Sequence, residues 1–225
     1  MIVPVLRIGL GIAPTTVAGT SLIFVLANVA SSALGYLRHR KVDLSLAVPL
    51  TLGSIPGSIA GVLAVKHVNG EWFDVVYGIQ LIILSVLVMR RRLVVSRPEG
   101  EKTFAHRWIV AVPAGFLMGL LSSMYGIGGG VVMIPLLLIG ARMPPHIVVG
   151  TSALIVALTS PVGVIAHAVG GDINWPAAFP LIAGGLIGGT LAPPIAKRLS
   201  SPRLITLLAF ALIVAAVALA IRHFV

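Results

Sequence analysis

Residues 16–37 run for 22 positions without a charged side chain, and residues 44–65 do the same. A helix of that length rises about 33 Å, enough to cross the hydrocarbon core of a bilayer. Comparable runs recur at residues 147–169 and 175–196. In lipid every backbone polar group must be satisfied internally, and a helix does this within one segment. Composition agrees: 58% of the 225 residues are hydrophobic and 10% charged, whereas soluble domains carry roughly a quarter charged residues. The expected fold class is an all-α polytopic membrane protein with seven or eight transmembrane segments.

The apolar runs and their breaks set the order of elements. A short apolar piece at residues 2–12 precedes helices near 16–37, 44–65 and 74–89. A polar linker at 90–107 follows, with six basic and two acidic residues. Then come a long glycine-interrupted stretch at 108–139 and helices near 147–169, 175–196 and 204–221.

A formal charge of +10 raises nucleic acid as a partner. The basic residues, however, sit at the ends of apolar stretches: Arg38, Arg40 and Lys41; Arg90, Arg91 and Arg92; Lys197 and Arg198. That is the distribution of topology-setting charge, so the partner is the lipid bilayer and no nucleic acid is expected. Without cysteine there is no disulfide, thiol catalysis or thiolate metal site. Met1 lies directly in an apolar stretch without a basic region before it, so no signal peptide is expected. The expected location is multi-pass in a cell membrane of the bacterial inner-membrane kind. Placing the 90–107 linker in the cytoplasm puts Arg38–Lys41 and the C-terminus there too.

Shifting the chain by 131 residues aligns its halves without a gap. Pro4 falls on Pro135, Pro14 on Pro145, and Gly19-Thr20-Ser21 on Gly150-Thr151-Ser152. Pro49 meets Pro180, Gly53 meets Gly184, Gly57 meets Gly188 and Lys66 meets Lys197. Roughly twenty of some ninety positions are identical, about a third of them glycine or proline, which fix backbone shape. The expected organisation is a first transmembrane repeat at 1–91, a linker at 92–107 and a second repeat at 108–225. Only the second half carries 108–132 ahead of its first matched residues, so a truncated or misplaced N-terminus is expected. If residues 108–139 cross the membrane once, the charge distribution implies repeats related by an axis along the membrane normal.

All six acidic residues fall in loops or at helix ends, and no paired carboxylates or metal-spaced histidines appear. Cation pumps commonly place a carboxylate at membrane depth. The sequence therefore argues against a cation carrier and an intramembrane enzyme, and no cofactor or metal is expected. His167, near a helix end, reads as a polar anchor. What remains at depth is glycine, hydroxyls and amide. Gly126-Ile127-Gly128-Gly129-Gly130 concentrates residues that each cost about 1 kcal/mol in a helix interior. A break is expected there, with a new helix from Val131 whose free N–H groups favour an anion; close helix packing at small residues is the competing reading. Gly19-Thr20-Ser21 and Gly150-Thr151-Ser152 each follow a proline-containing turn, with Asn28 and Thr159 two helical turns on. The candidate substrate-binding residues are Gly19, Thr20, Ser21, Asn28, Gly128, Gly129, Gly130, Gly150, Thr151, Ser152 and Thr159. The two triplets are expected to face each other across a common cavity. Local hydroxyl-to-carbonyl bonding within each helix is the alternative for the hydroxyls.

The set of Gly126 to Gly130, Pro135, Pro144-Pro145 and Gly150-Thr151-Ser152, repeated as Pro4, Pro14 and Gly19-Thr20-Ser21 and joined by the basic loop Arg38-His39-Arg40-Lys41, resembles the TauE/SafE family. The resemblance covers nearly the whole chain. It implies a permease or exporter of sulfite, organosulfonates or another small anionic substrate, working by alternating access. A passive anion channel and a non-transporting scaffold subunit are the alternatives, and assembly into a homo-oligomer is left open.

Overall fold

Short polar joints decide where each helix begins. The computed structural model describes residues 2–9, 11–38, 42–90, 108–128 and 145–198, together with 133, 137, 206, 210 and 214. The helices are α1 (Ile2–Gly9), α2 (Pro14–Arg38), α3 (Leu44–Val65), α4 (Gly70–Arg90), α5 (Trp108–Tyr125), α6 (Pro145–Val169) and α7 (Trp175–Arg198). The five isolated residues are also helical, and no strand occurs among the described residues. The linker at 91–107, Gly129, Gly130, the expected helix start at Val131 and most of the expected helix at 204–221 lie outside the described residues.

α2 and α6 each open on a proline, whose missing N–H costs nothing at the first helical position. α3 opens at Asp43, whose carboxylate accepts the N–H groups of Ser45 and Leu46 at 3.0 and 3.3 Å. α7 opens at Asn174, whose side-chain oxygen accepts the Ala177 N–H at 3.2 Å. Both are good N-cap residues. α6 ends where Gly171 takes a φ of 73° and the Asp172 N–H returns to the His167 carbonyl at 2.9 Å, a glycine stop in the left-handed region.

Among the described residues, five helices, lying within α2, α3, α5, α6 and α7, are long and apolar enough to cross a membrane. Their surfaces are inverted relative to a soluble protein. Large apolar side chains such as Leu117, Ile165 and Ile187 are exposed, while Thr20, Ser21, Ser54, Ser123 and Thr151 are buried. An apolar exterior of this extent calls for lipid as its solvent. The protein is a multi-pass membrane protein.

α3 and α5 run alongside each other in the same direction. Gly53, Gly57 and Gly61 of α3 lie against the backbone of Val112, Phe116 and Leu120, and Gly115 and Gly119 of α5 lie against Leu50 and Ser54. A Cβ at any of these positions would enter a neighbouring backbone atom. Small residues let the backbones approach, and Ser54 uses the closeness to donate to the Gly115 carbonyl at 2.9 Å.

α2 lies at the centre, packed on both α6 and α7. It runs antiparallel to α6: Gly19 lies against His167, Leu22 against Gly163, and Ala33 and Tyr36 share a cluster with Ala153. It runs parallel to α7: Thr20 meets Asn174, Asn28 meets Gly185 and Gly35 meets Pro193. This corrects the expected axis along the membrane normal. Helices that match at the 131-residue offset, α2 and α6, run in opposite directions, which an axis along the membrane normal would not produce. The charge argument held only if residues 108–139 cross once, and α5 covers only Trp108–Tyr125 of that stretch.

Candidate functional site

α5 ends at Tyr125, buried against Phe73 and Tyr77 of α4 with ring centroids 5.1 and 5.5 Å away. Gly126 and Gly128 follow with φ of 64° and 69°, in the region that only glycine enters without strain. The helix breaks where the sequence concentrates glycine, and the chain is helical again at Met133. Met133 and Leu137 belong to a core cluster with Leu46, Ala111, Met118 and Val148. The break is buried against α2: a Cβ on Gly126 would meet Ser21 Oγ and the Ala18 carbonyl, and one on Gly128 would meet Val25. Irregular backbone at this depth is tolerated only in protein or along a cavity.

Of the expected site residues, Ser21 and Gly128 therefore lie along the same seam, Ser21 Oγ against Gly126 and Gly128 against Val25 one turn on. Ser123, on the last turn of α5, joins them from the side, its Oγ close to Gly163 of α6 and beside Leu22 of α2. Ser160 is buried in α6 three residues before Gly163, its Oγ without a hydrogen-bond partner among the described residues. The sequence reading named neither serine. The signal was present in Ser122-Ser123, just ahead of the first breaking glycine.

The two triplets do not face each other, which is a second correction. Gly19 lies against His167 and the Asp172 carbonyl at one end of the α2–α6 pair. Thr151 Oγ1 accepts the Asp43 N–H at 2.9 Å at the other. Sixteen residues of α6 separate Thr151 from His167, about 24 Å along a helix. Antiparallel packing of α2 on α6 sends matched residues to opposite ends.

The hydroxyls have local partners. Thr20 Oγ1 accepts the Asn174 N–H at 3.0 Å. Ser21 donates to the Val17 carbonyl at 2.7 Å, Ser152 to Val149 at 3.0 Å and Thr159 to Ile155 at 2.9 Å. A serine hydroxyl bonded one turn back can rotate to a ligand at the cost of one modest bond. Asn28 Nδ2 donates to the Gly185 carbonyl at 3.3 Å and bridges α2 to α7. Gly150 is buried on α6 beside Thr151.

Charge is kept to the helix ends. Arg7 of α1 pairs with Asp74 of α4 at 3.1 Å and donates to the Ile12 carbonyl at 3.0 Å. Asp43 caps α3, Glu71 stands in the first turn of α4, and Asp172 occupies the α6–α7 joint. His167 is not the isolated anchor the sequence suggested. It is fully buried, with Nε2 3.0 Å from the Ser123 carbonyl and Nδ1 3.7 Å from Asp172.

The family model described as Sulfite exporter TauE/SafE matches residues 1–219. A probable membrane transporter protein of Bacillus subtilis, YunE, is 29% identical over 218 residues, covering 90% of this chain and 79% of its own. A probable membrane transporter protein of Xylella fastidiosa is 30% identical, covering 92% of this chain and 79% of its own. An Arabidopsis thaliana relative named Sulfite exporter TauE/SafE family protein 6 is 24% identical over 72% of this chain and 38% of its own length. No solved structure matches. A match over nearly the whole chain, with the glycine break and the proline-led helices where that family's resemblance required them, is decisive: the chain belongs to the TauE/SafE sulfite exporter family.

Proposed function

We propose that this membrane transporter carries a small oxyanion, sulfite or an organosulfonate, by alternating access between two inverted repeats, 1–91 and 108–225. The observation that carries the reading is the break after Tyr125, packed on Ser21 and Val25 in the bundle interior. Freed backbone N–H groups and nearby hydroxyls are donors, which stabilise negative charge. The acidic residues described stand at helix ends, so a cation at this depth would lack a neutralising partner. The anion site of this reading comprises Ser21 and the break at Gly126 and Gly128, with Asn28 and Thr159 further along α2 and α6.

The inverted-repeat reading is supported by helix bounds. α2 and α6 each span 25 residues and begin at Pro14 and Pro145, 131 positions apart. α3 and α7 begin at Leu44 and Trp175, again 131 apart. The contacts exchange in the same way, Thr20 with Asn174 and Thr151 with Asp43. Inverted repeats rocking about a shared midplane site are a common transporter design.

A ligand screen by thermal shift tests the substrate class. Sulfite or an organosulfonate such as sulfoacetate should raise the unfolding temperature of the purified protein, since a ligand bound only to the native state stabilises it by mass action. Ser21→Ala should reduce that shift. Stabilisation by monovalent cations and by none of sulfite, sulfate, thiosulfate, taurine or sulfoacetate would overturn the reading.

A further inference from the structure

His167 sits on α6 where α2, α5 and the α6–α7 joint converge. Its Nε2 is 3.0 Å from the Ser123 carbonyl oxygen. A carbonyl can only accept, so Nε2 carries the ring proton, and Nδ1 of the neutral ring is a lone pair. That atom lies 3.7 Å from Asp172 Oδ2, which as a carboxylate oxygen is an acceptor too. Both atoms are buried, and neither has a hydrogen-bond partner among the described residues. Two facing acceptors removed from water lose solvation without recovering a bond. One proton on Nδ1 converts them into an imidazolium–carboxylate pair.

We propose that His167 and Asp172 form a proton-binding site and that the proton bound there is the coupling ion of anion movement; the coupling half rests on the transport reading above. The proton adds to the Nδ1 lone pair from solvent at the end of the bundle that carries Lys66, and leaves the same atom when the pair opens to the other side. No electron transfer is involved. The charged groups acting on the imidazole are Asp172, from the α6–α7 joint, and Lys66, at the end of α3. Lys66 Nζ is 3.7 Å from Asp172 Oδ2, and its side chain is 41% exposed. α2 and α5 bring Gly19 and the Ser123 carbonyl, neither of which titrates.

The placement links this site to the break. Ser123 belongs to the last turn of α5 before Gly126. Gly19, against which the Asp172 carbonyl and the His167 Cβ lie, is two residues from Ser21, whose Oγ adjoins Gly126. A change in the His167–Asp172 separation therefore acts on both walls of the proposed anion site.

Two measurements test the proposal separately. In nitrogen NMR of histidine-labelled protein in micelles, with His167 assigned from the His167→Gln spectrum, the neutral ring should be the Nε2–H tautomer. Nδ1 should gain a proton as pH falls, and Asp172→Asn should weaken that binding. A neutral Nδ1–H tautomer, or a titration untouched by Asp172→Asn, would overturn the proton site. In proteoliposomes, a pH gradient should drive accumulation of labelled sulfite or of labelled methanesulfonate, which is ionised at every pH used. His167→Gln and Asp172→Asn should lose that accumulation and retain anion exchange. Exchange that ignores the gradient in the wild type, or variants that still accumulate, would overturn the coupling. A wild type that moves neither anion would overturn the transport reading, leaving NMR to decide the proton site.

Discussion

The hydroxyl oxygen of Thr151 accepts the backbone N–H of Asp43 at 2.9 Å, so a residue near the start of α6 holds the residue that caps α3. Thr20 does the same for Asn174 at the start of α7, at 3.0 Å. Both threonines are fully buried. Each helix of the central pair thus anchors the entry of a helix from the other half of the chain.

Removing either anchor leaves a buried N–H unpaired. Thr20→Val and Thr151→Val should each lower unfolding stability in detergent by about 1–3 kcal/mol, with Thr→Ser recovering most of it. The sites lie at opposite ends of the bundle, so the double variant should show the sum of the two losses. Thermal unfolding checks this, and unchanged stability would mean that the contacts carry no weight.

The glycine face between α3 and α5 has no room for a side chain. Gly57→Leu should abolish folded protein, because its Cβ would enter the Phe116 backbone and overpacking a tight interface is destabilising. Gly78, whose added Cβ meets nothing within 4 Å, should accept alanine with little loss. Folded yield by size-exclusion chromatography compares the two, and equal yields would contradict the packing.

At the break, shape and conformation can be separated. Gly128→Ala meets Val25 and also forces alanine to a φ of 69°. Adding Val25→Ala removes the collision and leaves the backbone strain, so the double variant should recover part of the lost thermal stability. Full recovery would show that the left-handed backbone is dispensable. No recovery would show that the collision with Val25 is not what limits this position.

Much of the fold was legible in the sequence. Uncharged runs located α2, α3, α6 and α7 to within a few residues, and glycine clustering located the break after Tyr125. Direction was not legible, because the number of times residues 108–139 cross depends on where the chain turns back, and lysine and arginine counts are silent on that. The candidate site divided in the same way. Ser21 and the glycine break do meet, Ser21 Oγ against Gly126 and Val25 against Gly128, but matched triplets at a fixed offset specify equivalent environments, which antiparallel packing places at opposite ends. The His167–Asp172 contact escaped notice because it depends on the sharp turn at Gly171, which brings a loop carboxylate back over the end of its own helix.

The most direct test of the account is counterflow in proteoliposomes bearing the purified chain. Vesicles preloaded with unlabelled sulfite should take up labelled sulfite faster than empty ones, with saturable kinetics, and Ser21→Ala should weaken apparent affinity by roughly tenfold, the loss of one hydrogen bond to a charged ligand. Labelled monovalent cations should not enter. Uptake that never saturates and ignores preloading would identify a passive pathway, and cation entry through the wild type would contradict an anion site built from Ser21 and the glycine break.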